Sequence, residues 1–333
     1  MIEYYCRAAR RCRSVNQFNA LHIGLANRIT PLELVALRDA QGPWFAVRTL
    51  LQQGLRLLSP VSRLWGAQTS PAELRDRWLR KLLRLYAQAA KPRPEPYRRS
   101  RLSRHLRLYS AGGARHDKTL LICFVGSSQR PFLPVPVFLQ HLDAARNDVL
   151  MVGYPRGKGH RHGLPELGST LEETIDKLRG LAGIDAYRRC VALGTSGGGT
   201  PALLTALRLG LPGVLSAGGG SPTDPRWFAA LGEDVGELAR RYAAASSTPP
   251  RVVLAFGVDA QKDVVAAQAF AECVPAELRP IRDRRHESPH NLFQPLLRRR
   301  RLQGFLEATV MHLPPQADER ASMSTTAAGL QCK

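Results

Sequence analysis

From about residue 118 the chain alternates short apolar runs with amphipathic stretches, and this alternation constrains its fold more than any other feature. The runs fall at 119–125, 148–153, 189–194, 213–217, 251–257 and 278–281 and are rich in Val, Leu and Ile. Helix-type patterns lie between and after them, near 135–145, 171–181, 198–209, 234–245, 263–274 and 295–310. This order predicts an α/β fold, a mostly parallel sheet with helices on both faces. The runs are continuous rather than alternating, as expected of strands covered on both sides. The chain has 333 residues, 44% of them hydrophobic, enough to bury such a core.

The first third has a different texture. Ser70-Pro71-Ala72-Glu73 combines a Ser N-cap, Pro at the first helical position and Glu at the third. Leu74, Trp78, Leu79, Leu82, Leu83 and Leu85 then recur at spacings of three and four, which predicts an amphipathic helix. Thr30-Pro31-Leu32-Glu33 opens a shorter helix in the same way. Lys91-Pro92-Arg93-Pro94-Glu95-Pro96 breaks helix repeatedly and reads as a linker, followed by a candidate strand at 105–109. The expected organisation is a basic, mainly helical region over 1–90, a linker with a candidate first strand over 91–117, the α/β domain over 118–312, and a polar tail, expected to be disordered, over 313–333.

Charge is concentrated at the start. Residues 1–115 carry 22 Lys/Arg against six Asp/Glu, most of the chain's net +21. Such a region suits an anionic membrane surface or an acidic protein partner. An arginine-rich codon usage gives the same composition with no partner at all. Nucleic acid is disfavoured, because no aromatic–basic motif or zinc-finger spacing accompanies the charge. No run approaches the roughly 18 apolar residues of a membrane span. The N-terminal stretch has no apolar h-region, so a cytoplasmic chain is expected, with peripheral membrane attachment as the variant. Six scattered cysteines, without a CxxC or a Cys/His cluster, point to neither a metal nor another cofactor.

The chemistry centres on Gly194-Thr195-Ser196-Gly197-Gly198, placed where one strand ends and a helix begins. A serine on so sharp a turn has a strained backbone, and small residues two before and two after it relieve the clash. The following helix aims its positive end at the site, which favours an oxyanion. A Gly-rich strand–helix turn can also cradle a phosphate. Here, however, no Lys-Ser/Thr pair follows the glycines, and the G-x-G-x-x-G spacing is absent.

With this motif, the strands that follow it and the order Ser…Asp…His, residues 118–312 resemble the α/β-hydrolase superfamily from its third strand to its last helix. The resemblance implies Ser196 as nucleophile and a base on the loop after the last strand. His290 and His286 both lie there, and His290, directly before the terminal helix, is the expected base. The orienting acid should follow the strand 251–257. Asp259 is expected in that role and Asp263 as a helix cap, with Asp263 and Asp224 as alternative acids. The oxyanion donors should be Gly197 and the loop after the strand 119–125, at Ser127 or Ser128. That loop departs from the family's His-Gly-Gly-Gly form. The implied activity is that of a serine hydrolase on a small acyl or ester substrate, of esterase or thioesterase type, with acyl transfer to an alcohol as a variant. The alternative is a catalytically silent hydrolase-fold module that acts through its basic N-terminal region.

Overall fold

In the computed structural model, described over residues 2–40, 71–155, 159–283 and 289–311, eight strands form one sheet. They are β1 (Arg98–Arg101), β2 (Leu106–Ser110), β3 (Thr119–Phe124), β4 (Asn147–Val152), β5 (Arg189–Thr195), β6 (Gly213–Ala217), β7 (Arg251–Gly257) and β8 (Ala276–Ile281). Their spatial order is β1-β2-β4-β3-β5-β6-β7-β8. The first two strands pair antiparallel, with each other and with β4; the other six are parallel. Strands β3 to β8 are the six apolar runs, and both β1 and β2 lie within 91–117. Strand β1 reads Arg-Arg-Ser-Arg at the sheet's edge, so no hydrophobic pattern announces it.

Successive side chains of a strand point to opposite faces, so each run serves two cores. Leu121 and Cys123 of β3 join one cluster, while Leu120, Ile122 and Phe124 join the other. The second cluster is covered by the helices Leu171–Ala182, Gly199–Leu209, Val235–Ala245 and Gln261–Ala271. The first is covered by the N-terminal helices, by Val135–Leu139 and by the last helices of the described chain. The stretch 135–145 therefore forms a shorter helix than its pattern suggests. The stretch 295–310 divides into Phe293–Arg298, Leu302–Leu306 and a π-helical segment Glu307–Met311, with Arg300 at φ +55° between the first two. Pro225–Leu231 is an additional short helix after β6.

The N-terminal helices are Ile2–Arg11, Val15–Ala26, Pro31–Asp39 and Pro71–Ala87. Thr30 forms the expected capping box: its hydroxyl accepts from the Glu33 N–H, and its own N–H donates to the Glu33 carboxylate. Ser70 and the tail after Met311 lie outside the described residues. Leu25, Ile29, Leu34, Leu37, Leu79 and Leu82 pack in the same cluster as Phe138 and Phe293, so these helices share a core with the sheet. The Tyr109 hydroxyl and the Arg99 guanidinium both donate to the carbonyl of Arg28, at 2.9 and 3.1 Å. Inside this region His22 stacks on Trp78 and bonds the Tyr5 hydroxyl at 3.0 Å. Its burial pushes the imidazole pKa down to about 4, so it is neutral. Among the described residues no helix is long and apolar enough to cross a membrane.

Candidate active site

Strand β5 ends at Thr195, and Ser196 follows at φ +53°. A non-glycine residue in this region costs about 1–2 kcal/mol, which the surrounding structure must offset. The flanking glycines are required by contact. A Cβ on Gly194 would lie 2.0 Å from the Gly198 carbonyl oxygen, and one on Gly198 would lie 2.2 Å from that of Phe124. The turn therefore closes tightly against β3 and lifts Ser196 above the carboxyl end of the sheet, where the helix Gly199–Leu209 begins.

The chain after β8 returns across the end of β7. A Cβ on Gly257 would lie 2.0 Å from the Pro289 carbonyl oxygen, so only glycine lets this return pass so close. Nearly buried Asp283, before the return, pairs with Arg298, after it, at 2.7 Å. His290 is thereby seated over the sheet. Its Nε2 lies 2.9 Å from Ser196 Oγ, and its Nδ1 lies 2.7 Å from Asp263 Oδ2. An ionised carboxylate can only accept, so Nδ1 carries the proton and Nε2 is left to accept from the serine hydroxyl. Phe132 meets the imidazole edge-on at 5.4 Å and limits its rotation. The hydrogen bond to Asp263 raises the His290 pKa above its ordinary 6.5, outweighing burial, which acts the other way.

The structure thus brings Ser196, His290 and Asp263 together, and the carboxylate it sets against the histidine is that of Asp263 rather than the expected Asp259. Asp259 is exposed in the turn after β7, while Asp263 is buried against the histidine. Nor is Asp263 a helix cap. Ala260 occupies that position without a side-chain bond, and Asp263 sits inside the first turn of the helix Gln261–Ala271. It shares the inward stripe of that helix with Ala266, Ala267 and Phe270. Asp224 instead caps Pro225–Leu231 and pairs with Arg226 at 2.7 Å. His286 lies outside the described residues.

Ser196 opens onto a cleft of about 670 Å³, walled in part by Tyr154, Trp227 and Val265, with Arg161 and Lys262 also lining it. Gly197 and Ser127 line this cleft too. The Ser128 carbonyl instead accepts from Asn27 Nδ2 at 2.6 Å, so the loop after β3 is braced by the N-terminal helices. A second brace is His160, a residue the sequence reading passed over. Its Nε2–H donates to the Val125 carbonyl at 2.9 Å, and its ring is packed by Phe124 and Tyr154. Burial pushes its pKa down to about 4, so it is a neutral donor. The signal available in the sequence is the cluster Gly159-His160-Arg161-His162 in the loop between β4 and the helix Leu171–Ala182, and nothing in it distinguishes a packed ring from an exposed one.

Strand order and strained elbow together define the α/β-hydrolase fold. No family model and no curated protein matches the sequence. Among solved structures the chain is similar to an inhibited esterase B from Lactobacillus rhamnosis, with 14% identity over 77% of this chain and 98% of that one, at a TM-score of 0.46. It is also similar to a thermophilic esterase from the Planctomycetes species Thermogutta terrifontis (15% identity, 68% of this chain and 98% of that one, TM-score 0.44). A third is a dienelactone hydrolase from Anabaena variabilis (16% identity, 65% of this chain and 100% of that one, TM-score 0.43).

Proposed function

We propose that this chain is a serine hydrolase that cleaves a carboxylic ester or thioester by two-step acyl transfer. The observation that carries the reading is the continuous relay from Ser196 through His290 to Asp263, at 2.9 and 2.7 Å, with its serine on a strained elbow. Ser196 Oγ attacks the acyl carbon while His290 Nε2 takes its proton. The carbonyl oxygen becomes an oxyanion, a role for which the backbone N–H groups of Gly197 and Ser127, two residues that line the cleft, are assigned as donors; one such donor contributes about 3–4 kcal/mol to the transition state. Collapse expels the alkoxide or thiolate, which receives the proton back from His290. Water, deprotonated in turn by His290, then releases the acid and restores Ser196. Asp263 stays ionised throughout, holding the tautomer and stabilising the imidazolium. An alcohol entering in place of water would make the same steps an acyl transfer. The cleft's volume is ordinary for a small-molecule site, and its aromatic and aliphatic walls suit an apolar acyl or alcohol group.

Fluorophosphonate labelling tests the reading. Wild type should label at Ser196; Ser196→Ala should not label; and His290→Ala should label at least about a hundredfold more slowly, the usual scale of a positioned base. A folded wild-type protein that fails to label would favour the alternative, a silent hydrolase-fold module.

A further inference from the structure

The hydrolase reading leaves the basic first third of the chain without a role, yet the structure gathers part of that charge at one place. Arg99 and Arg101 lie on one face of edge strand β1, and the register sets Arg101 directly opposite Arg107 of β2. Tyr109, on the same face of β2, reaches the Arg28 carbonyl, which brings the end of the helix Val15–Ala26 alongside. Burial depresses the pKa of Arg107, Tyr109 opposes this, and the neighbouring Arg28, Arg99 and Arg101 add to the depression, so three positive charges bear on Arg107. Like charges opposed on an antiparallel pair repel. The compensation is slight. Arg99, Arg101 and Arg107 donate to backbone carbonyls, of Arg28, Ser103 and Arg104. Among the described residues Glu33 is the carboxylate paired with this group, 3.5 Å from Arg99. Its other oxygen is already taken by the capping box.

Aliphatic side chains are exposed on the segments that carry this cluster. Leu102 follows Arg101 at the hairpin tip and is 37% exposed, while Ile23 and Leu32 stand on either side of Arg28 at 52% and 40%. Bases would stack on aromatic side chains, and none is exposed on these segments. Arginines on segments that also expose aliphatic side chains match an interface of anionic headgroups over acyl chains. We propose that the patch formed by Arg28, Arg99, Arg101 and Arg107, with Leu102, Ile23 and Leu32, docks this protein on an anionic phospholipid surface. The proposal does not depend on the chemistry at Ser196.

Cosedimentation of the full chain with vesicles tests it, using phosphatidylcholine alone and phosphatidylcholine with one-third phosphatidylserine. Binding is expected to the second and not the first, and to weaken as salt rises and the screening length shortens. The double variant Arg28→Gln/Arg101→Gln removes two exposed charges and should weaken binding about 25-fold, at roughly fivefold for each arginine near the surface. Arg299→Gln/Arg300→Gln removes the same charge from another exposed site and should weaken it far less. Equal losses in the two double variants would reduce the effect to net charge and overturn the proposal. So would equal binding to both vesicle types, no binding at low salt, or tighter binding to duplex DNA than to the anionic vesicles.

Discussion

Replacing Asp263 and Asp259 separately distinguishes two accounts of the site, one with its acid in the first turn of the helix Gln261–Ala271 and one with its acid in the loop before it. In the structure the carboxylate of Asp263 stands 2.7 Å from His290 Nδ1. A hydrogen bond to a carboxylate is charge-assisted, strengthens when the imidazole takes the serine's proton, and is worth about 1.5–3 kcal/mol. At 1.36 kcal/mol per tenfold, its loss alone slows acyl transfer roughly 10- to 150-fold. The carboxylate also fixes the tautomer. Without it, Nε2 can carry the proton and meet Ser196 as a donor, which extends the loss toward about 10⁴-fold. Asp263→Asn should therefore lower kcat for p-nitrophenyl acetate by about 10² to 10⁴, and Asp259→Asn by less than about twofold, since that residue is exposed. The pH profile supplies a second reading. Asp263 raises the His290 pKa, so its removal lowers it, and the acidic limb of kcat/KM should move to lower pH in Asp263→Asn. Equal losses in the two variants, or an acidic limb that stays in place, would refute the assignment.

Other outcomes follow from contacts and burial. Gly198→Ala drives a Cβ to 2.2 Å from the Phe124 carbonyl oxygen and should cost at least about 4 kcal/mol in urea unfolding, whereas an effect below about 1 kcal/mol would mean the elbow relaxes freely. Leu34 is fully buried between the N-terminal helices and the sheet, so Leu34→Ala should cost about 2–5 kcal/mol in the same assay. His22, His141 and His160 are buried with pKa values pushed down to about 4 by desolvation. Between that value and the unfolded 6.5, the unfolded chain binds the protons and the folded chain does not, so stability falls as pH drops through this window. Urea midpoints measured from pH 7 to 4 should decline with a slope approaching three protons, and a flat profile would contradict the buried neutral rings.

The inner sheet was legible because parallel strands covered on both sides are largely apolar, as β3 to β7 are, whereas β8, at the far edge, reads Ala-Glu-Leu-Arg-Pro-Ile and is exposed along its middle. Strand β1 was not, because an edge strand of three arginines and a serine carries no burial signal. The elbow was legible because glycines at 194 and 198 are demanded by contacts closer than any Cβ tolerates. The carboxylate that meets His290 is not the one its place after β7 suggests, for a physical reason. Asp263 near a helix start resembles a cap, but its spacing to Ala266, Ala267 and Phe270 is three, four and seven, the inward stripe of that helix. Reading the stripe rather than the cap would have placed it facing the site. The braces on the loop after β3, Asn27 and His160, depend on contacts far apart in the chain and leave no local trace.

The cluster that joins Leu34 and Leu79 to Phe293, Leu297 and Val310 spans nearly the whole chain, and this has a consequence for biosynthesis. The helices that carry Leu34 and Leu79 cannot complete their core until the segments that carry Phe293, Leu297 and Val310 have left the ribosome. At about 5–20 residues per second, the more than 200 residues between them take on the order of tens of seconds to synthesise. During that interval the buried faces of Leu25, Leu34, Leu37 and Leu79 are without their final neighbours. A nascent chain of this kind has reason to engage a holding chaperone early and to be released late, when these two segments finally meet.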